Sequence, residues 1–224
     1  MTEIGPHAFE DCHSLASASL GQYLQKLGSC AFRGCTGLSS VTVSDGTYPL
    51  RIGSYAFFGC SGRPSLILPD GITKIEDATF AGCSSLVDIN IPSGVTSIGG
   101  AAFQDCTVLK DITIPEGVTW IGSEAFMGCA AFTRVVIPKK VTHLCAATFF
   151  NCSGLESVTI QCRIPPIIDW SELYNDDGGF IGHAFLVFNN TNDCPIRVPA
   201  GFVQDYWRAE GWNVYADRIV EIDG

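Results

Sequence analysis

The stretch Phe103-Gln-Asp-Cys106-Thr-Val-Leu109-Lys-Asp-Ile112-Thr-Ile114-Pro115-Glu-Gly117-Val118-Thr-Trp-Ile121-Gly122-Ser-Glu-Ala125-Phe126 decides the fold, because it starts and ends on the same signal. Ile112 and Ile114 alternate with polar neighbours, the period-two pattern of a half-buried strand. Pro115 has no amide hydrogen for a ladder and ends the strand, and Glu116-Gly117 supplies a turn. Val118 and Ile121 bring the chain back inward. The Ala-Phe-x-x-Cys segment then forms a short turn or helix whose ring fills the interior.

The same unit recurs along the chain. Phe9, Phe32, Phe57, Phe80, Phe103, Phe126 and Phe149 follow one another in steps of 23, except for a step of 25 between Phe32 and Phe57. Three residues after each Phe stands a Cys: Cys12, Cys35, Cys60, Cys83, Cys106, Cys129 and Cys152. Five residues before each Phe stands Ile or Leu, and Gly follows it except at Glu76 and Cys145. One unit has a single apolar face and cannot bury it alone, whereas stacked units bury a continuous core. The chain reads as a solenoid with strands about 4.8 Å apart in a parallel sheet. A right-handed parallel β-helix has a similar coil length but needs three strands per coil, and one strand followed by Ala-Phe-x-x-Cys argues against it.

These units resemble the BspA-like leucine-rich repeats of bacterial surface proteins, over about residues 4–160. The resemblance implies an α/β solenoid: a leucine-rich repeat array of 23-residue units, one parallel strand per coil, with a C-terminal helical cap. It also implies a non-enzymatic binding module, secreted or at the cell surface, acting in adhesion to host extracellular-matrix proteins or other cells. The alternative is a purely structural spacer or oligomerisation stalk for a further domain. The array is expected over residues 1–163, and a degenerate repeat with an insertion and a cap over residues 164–224. No signal sequence is visible at Met1, and the chain opens inside a repeat, so an array cut from a longer one is expected.

The repeat degrades in places. Two extra residues in 44–51 should bulge as a longer turn, and Arg63-Pro64 should weaken the third strand. Pro138-Lys139-Lys140 replaces Pro-x-Gly with a basic doublet that reads as a solvated turn. After Ile160 the pattern breaks at Ile164-Pro165-Pro166, with a long insertion over residues 169–193. A faded unit is expected in Ile181-Gly182-His183-Ala184-Phe185, and again in Cys194–Pro199. Residues 200–210 read as a helix stopped by Gly211. Trp212, Tyr215 and Ile219 should close the open end, as a Gly-Trp-x-x-Tyr-Ala-Asp segment does in BspA-like proteins.

Composition narrows the function. Of 224 residues 46% are hydrophobic and 16% charged, which excludes disorder and supplies a core. A net charge of -10 makes phosphate backbones and anionic lipid poor partners, so no nucleic acid and no membrane insertion are expected. Residues 164–224 carry 10 acidic and only 3 basic side chains. The seven ladder cysteines should point inward as free thiols, and Cys30, Cys145, Cys162 and Cys194 are scattered. No C-x-x-C occurs, and His7, His13, His143 and His183 find no partner at ligand spacing, so no metal, cofactor or catalytic residue is assigned.

Two binding candidates remain, for a protein or glycan ligand. The first is the outward strand face, whose most polar part is Asp88, Asn90, Asp111, Thr113 and Arg134. The second is an acidic, aromatic loop bearing Trp170, Glu172, Tyr174, Asp176 and Asp177; the last two are a candidate pair for sharing Ca²⁺ but lack EF-hand spacing. The oligomeric state is left open.

Overall fold

A computed structural model describes residues 1–43, 49–62, 65–174, 180–184 and 186–222. The bulge expected over residues 44–51 therefore falls largely outside the described residues. The 23-residue period becomes a stack of coils, each with three sides, and each side bonds to the next coil in its own way.

The first side carries the expected strand. Ser17–Leu20, Ser40–Val43 and Ser65–Leu66 form one parallel ladder, with Ser17, Ser40 and Ser65 in register. Arg134–Ile137, Ser157–Ile160, Ile196–Val198 and Ile219–Glu221 form another. Ser65–Leu66 is only two residues long. It starts in register with Ser40 and is shortened at its end, not at the start where a weakening was expected from Arg63-Pro64, which lie outside the described residues. Between the two ladders the expectation fails. Residues 86–91 and 109–114 form no ladder, although Ile89, Ile91, Ile112 and Ile114 stay buried. A single amide bond, from Lys110 N–H to Val87 O at 3.2 Å, joins them. The cause lies in the outward residues: Asp and Asn suit strands poorly, and Asp88 and Asp111 stack like charges one coil apart.

The second side corrects the expectation of one strand per coil. Two-residue strands at the Ile or Leu five residues before each Phe form a further parallel ladder. Its longest run joins Lys74–Ile75, Ser97–Ile98, Trp120–Ile121, His143–Leu144 and Ile167–Ile168. The threonine two residues ahead of the buried aliphatic reinforces it. The Oγ1 atoms of Thr96, Thr119 and Thr142 donate to the carbonyls of Thr73, Thr96 and Thr119 in the preceding coil.

The third side holds the Phe and Cys ladders. Alternate amides serve two ends: those of Ala101, Phe103 and Asp105 donate to Ser123, Ala125 and Met127 of the next coil, while those of Gln104 and Cys106 close turns onto Ala101 and Phe103. This geometry needs a φ of +55° to +73° two residues after each Phe, where only Gly, Asp or Asn occurs: Asp11, Gly34, Gly59, Gly82, Asp105, Gly128 and Asn151. The rings stack face to face, with centroids 5.1–5.7 Å apart and planes within 16° from Phe9 to Phe149. Each buried ladder thiol donates to the carbonyl of the Phe one coil back; Cys106 Sγ lies 3.2 Å from Phe80 O and Cys152 Sγ 3.0 Å from Phe126 O. Cys12, in the first coil, is exposed rather than inward and packed.

The ladder continues past residue 163, at a different residue from the one expected. Phe188 stacks on Phe149 at 5.6 Å, so the ladder ring is not Phe185, which lies outside the described residues. Ile181–Ala184 is no repeat unit either. Ser171–Tyr174 and Phe180–Ala184 pair antiparallel as a hairpin inserted between Ile168 and Phe188. Cys194–Pro199 does carry the next strand, as expected. The helix is shorter than the sequence suggests, Val203–Arg208, because Ala209 is extended and ends it, and a separate 3₁₀ turn follows at Asn213–Tyr215. Trp212 and Tyr215 cover Phe188, and Ile219–Glu221 adds the last strand.

Candidate functional site

The strand face places its five candidate residues as the repeat requires. Asp88, Asn90, Asp111, Thr113 and Arg134 all point outward and are exposed, in successive coils. Asp111 is partly engaged: it accepts from Thr133 Oγ1 at 3.0 Å and faces Arg134 Nε at 3.5 Å. Such an exposed pair contributes less than about 1 kcal/mol and leaves both groups free to exchange partners. Ile67 and Val136, exposed on the same face, give it an apolar border. It is a flat, polar surface with no enclosed chemistry.

The loop candidate is a hairpin rather than a loop. Trp170 is half exposed immediately before it. Glu172 and Tyr174 lie on the strand Ser171–Tyr174, and Asp176 and Asp177 fall outside the described residues.

A third feature emerged only from the structure. The corner joining the first two sides takes seven residue steps from Ile137 to Leu144, but eight from Ile160 to Ile168, although both ends are in register. The longer corner leaves an open groove of about 970 Å³ between the coils. Lys139, Lys140 and Arg163 converge on it, with Val141, Ile164 and Ile167 among its apolar walls. The walls are fixed. Cys162 Sγ donates toward both Pro138 O and Val141 O, Tyr206 Oη donates to Cys162 O at 2.7 Å, and Trp212 Nε1 donates to Pro166 O at 2.6 Å. The basic doublet is thus part of a built groove and not a turn standing alone in solvent. The one-residue slip that makes the groove is hidden in the sequence by the unmatched Ile164-Pro165-Pro166.

The histidines also need one amendment. His7, Glu10 and Cys30 bring their donor atoms within 4.8 Å of one another, because His7 and Cys30 occupy the same repeat position one coil apart. A spacing of one repeat is the signal that ordinary ligand-spacing rules pass over. These groups are already engaged, His7 with Glu10 and Glu10 with Arg33. Elsewhere, burial raises the ladder thiols: Cys106 and Cys152 are pushed up to about 12, against backbone hydrogen bonds that pull the other way. Buried, protonated thiols are poor nucleophiles.

A family profile described as BspA type leucine-rich repeat region matches residues 2–84 and 50–171 in six copies. The chain belongs to the BspA-type leucine-rich repeat family. Among solved structures, a leucine-rich cell surface protein from Faecalibacterium prausnitzii A2-165 is 27% identical with a TM-score of 0.69, over 89% of this chain and 59% of that one. The present BspA-type chain thus spans 59% of that relative's length. A leucine-rich repeat protein from Bacteroides ovatus shares the fold, with 20% identity and a TM-score of 0.54 over 88% of this chain and 59% of its own. One from T. pallidum is 30% identical over 71% of this chain and 66% of its own, with a TM-score of 0.49. No curated protein sequence matches. BspA-type arrays are repeat scaffolds. Among the described residues no helix is long and apolar enough to cross a membrane.

Proposed function

We propose that this chain is a non-enzymatic binding module of a bacterial cell-surface protein, acting in adhesion through its outward strand face. The observation that carries the reading is the placement of Asp88, Asn90, Asp111, Thr113 and Arg134, exposed in three successive coils on one face, with the inward residues between them buried in the core. Solenoids bind through extended surfaces of this kind. Similarity to the F. prausnitzii surface protein supports an extracellular location. A host matrix protein or a surface glycan fits a polar face with few aromatic anchors better than a tight small-molecule site does.

The test is solid-phase binding of the chain to immobilised matrix proteins and glycans at physiological salt, with and without calcium. Saturable binding that the Asp88/Asp111/Arg134→Ala variant loses supports the reading. Equal binding by parent and variant removes the strand face from it, and failure to bind anything in the panel returns weight to a spacer or stalk.

A further inference from the structure

We propose that the groove between the coils of residues 137–144 and 160–168 is a docking site for an extended acidic peptide segment of a partner protein, one whose carboxylates alternate with aliphatic side chains. This goes beyond the strand face and uses none of its residues.

Charge is the first argument. The chain carries 13 basic residues against 23 acidic ones, yet the groove gathers Lys139, Lys140 and Arg163 and no acidic side chain lines it. Elsewhere five basic residues have an acidic partner, Lys26 in Glu3, Arg33 in Glu10, Lys74 in Glu76, Arg134 in Asp111 and Arg218 in Asp193, while Arg51, Lys110, Arg197 and Arg208, like those of the groove, show no ion pair among the described residues. The three in the groove have no ion-pair partner among the described residues. Three like charges held together on an acidic protein repel one another, and a carboxylate-bearing ligand relieves that repulsion.

The walls supply the second argument, because they distinguish a peptide from an anionic polysaccharide. Ile164 is 82% exposed and Ile167 57% exposed, an unusual display for large aliphatic side chains. Ile167 also ends a row on the second ladder, in register with half-buried His143 and exposed Trp120, whose rings lie 4.5 Å apart. No aromatic ring lines the groove itself, so it lacks the flat platform on which a sugar stacks, whereas aliphatic side chains of a peptide match its walls. The third argument is preorganisation. The Cys162 thiol, the Tyr206 hydroxyl and the Trp212 indole pin the groove's backbone, so little ordering remains to be done on binding.

The experiment measures fluorescence anisotropy of the intact chain with a short labelled peptide of alternating Glu and Leu, beside a Lys-for-Glu peptide, a Ser-for-Leu peptide and unlabelled heparin as competitor. The expected result is saturable binding of the Glu-Leu peptide that weakens with salt. It should fall by roughly tenfold or more in Lys139→Ala/Lys140→Ala/Arg163→Ala, whose charges are exposed, and in Ile164→Ser/Ile167→Ser. The Asp88/Asp111/Arg134→Ala variant should bind as the parent does, which separates this site from the strand face. Both groove variants should melt as the parent does, since their side chains lie outside the core. Equal affinity for the Lys-for-Glu or Ser-for-Leu peptide overturns the proposal, as does unchanged binding in the groove variants. Heparin binding to the groove more tightly than the peptide would assign it to an anionic polysaccharide instead.

Discussion

The ladder cysteine explains itself at the residue scale: it is small enough to lie flat between coils, apolar enough to be buried, and still able to satisfy a carbonyl. Cys106 occupies no solvent-accessible surface and donates to Phe80 O. Its ionised form is disfavoured by burial, so its titration lies above the ordinary 9.0, at about 12. A thiol raised in this way contributes stability that is complete below about pH 9 and is lost as pH rises toward 12. Thermal melting across alkaline buffers should therefore show a constant midpoint up to about pH 9 and a steep decline above it; a midpoint indifferent to that window would mean that the thiols ionise in place. Titration with a thiol reagent under native conditions should modify Cys12 first, because it alone of the eleven is exposed. Simultaneous labelling of the remaining thiols in folded protein would contradict the ladder. The phenylalanine ladder makes the larger energetic claim. Phe103 is fully buried between Phe80 and Phe126, at 5.3 and 5.4 Å, and Phe103→Ala should cost roughly 3–5 kcal/mol by denaturant unfolding. A loss within experimental error of zero would put the repeat in the wrong register.

Among the elements, each side of the coil shows a different degree of legibility in the sequence. The strand side was readable from alternation wherever the outward residues were Ser, Thr or Val, as in Ser40–Val43 and Ser157–Ile160. It was misread at 109–114, because inward Ile112 and Ile114 announce the burial of a strand while outward Asp111 weakens its ladder. The second ladder was invisible because two residues are too few for a period, although the Thr before it and the Gly after it are its traces. Gly122 shows why that Gly is there: a Cβ would stand 2.5 Å from the Gly100 nitrogen of the preceding coil, in backbone that has no room to move. Gly122→Ala should destabilise by about 1–3 kcal/mol, measured by denaturant midpoint. An unchanged midpoint would show that the coils are not in such close approach. The turn side left the clearest unread sign, Gly, Asp or Asn two residues after every Phe, the mark of a left-handed backbone position. The strand-face residues were legible because they occupy two repeat positions, Asp88, Asp111 and Arg134 at one and Asn90 and Thr113 at the other. The groove was not, because it arises from a register slip of one residue next to an inserted hairpin.

For the whole molecule, a stack in which each coil touches only its neighbours makes the ends decisive. One apolar cluster runs from Ile4 to Ile219, and the last coil is closed by Tyr206, Trp212 and Tyr215 rather than by another repeat. Trp212 is fully buried, and its indole N–H satisfies Pro166 O. Trp212→Phe keeps most of the ring's packing and removes that donor, so it should cost about 1–3 kcal/mol and loosen the corner that carries Arg163 and Ile164. Amide hydrogen exchange should then accelerate around residues 162–168 while the Phe103 coil stays protected; uniform acceleration would show that the cap supports the whole stack rather than its end. A repeat scaffold of this kind suits a binding module, and adhesion through the strand face is the function proposed for it. The most direct measurement takes the binding isotherm and the melting curve of one preparation of the Asp88/Asp111/Arg134→Ala variant, beside the parent, on the matrix protein that the parent binds best. If the strand face is the binding site, the variant keeps a parent-like melting temperature and loses saturable binding. A variant that melts as the parent does and binds as the parent does would contradict it.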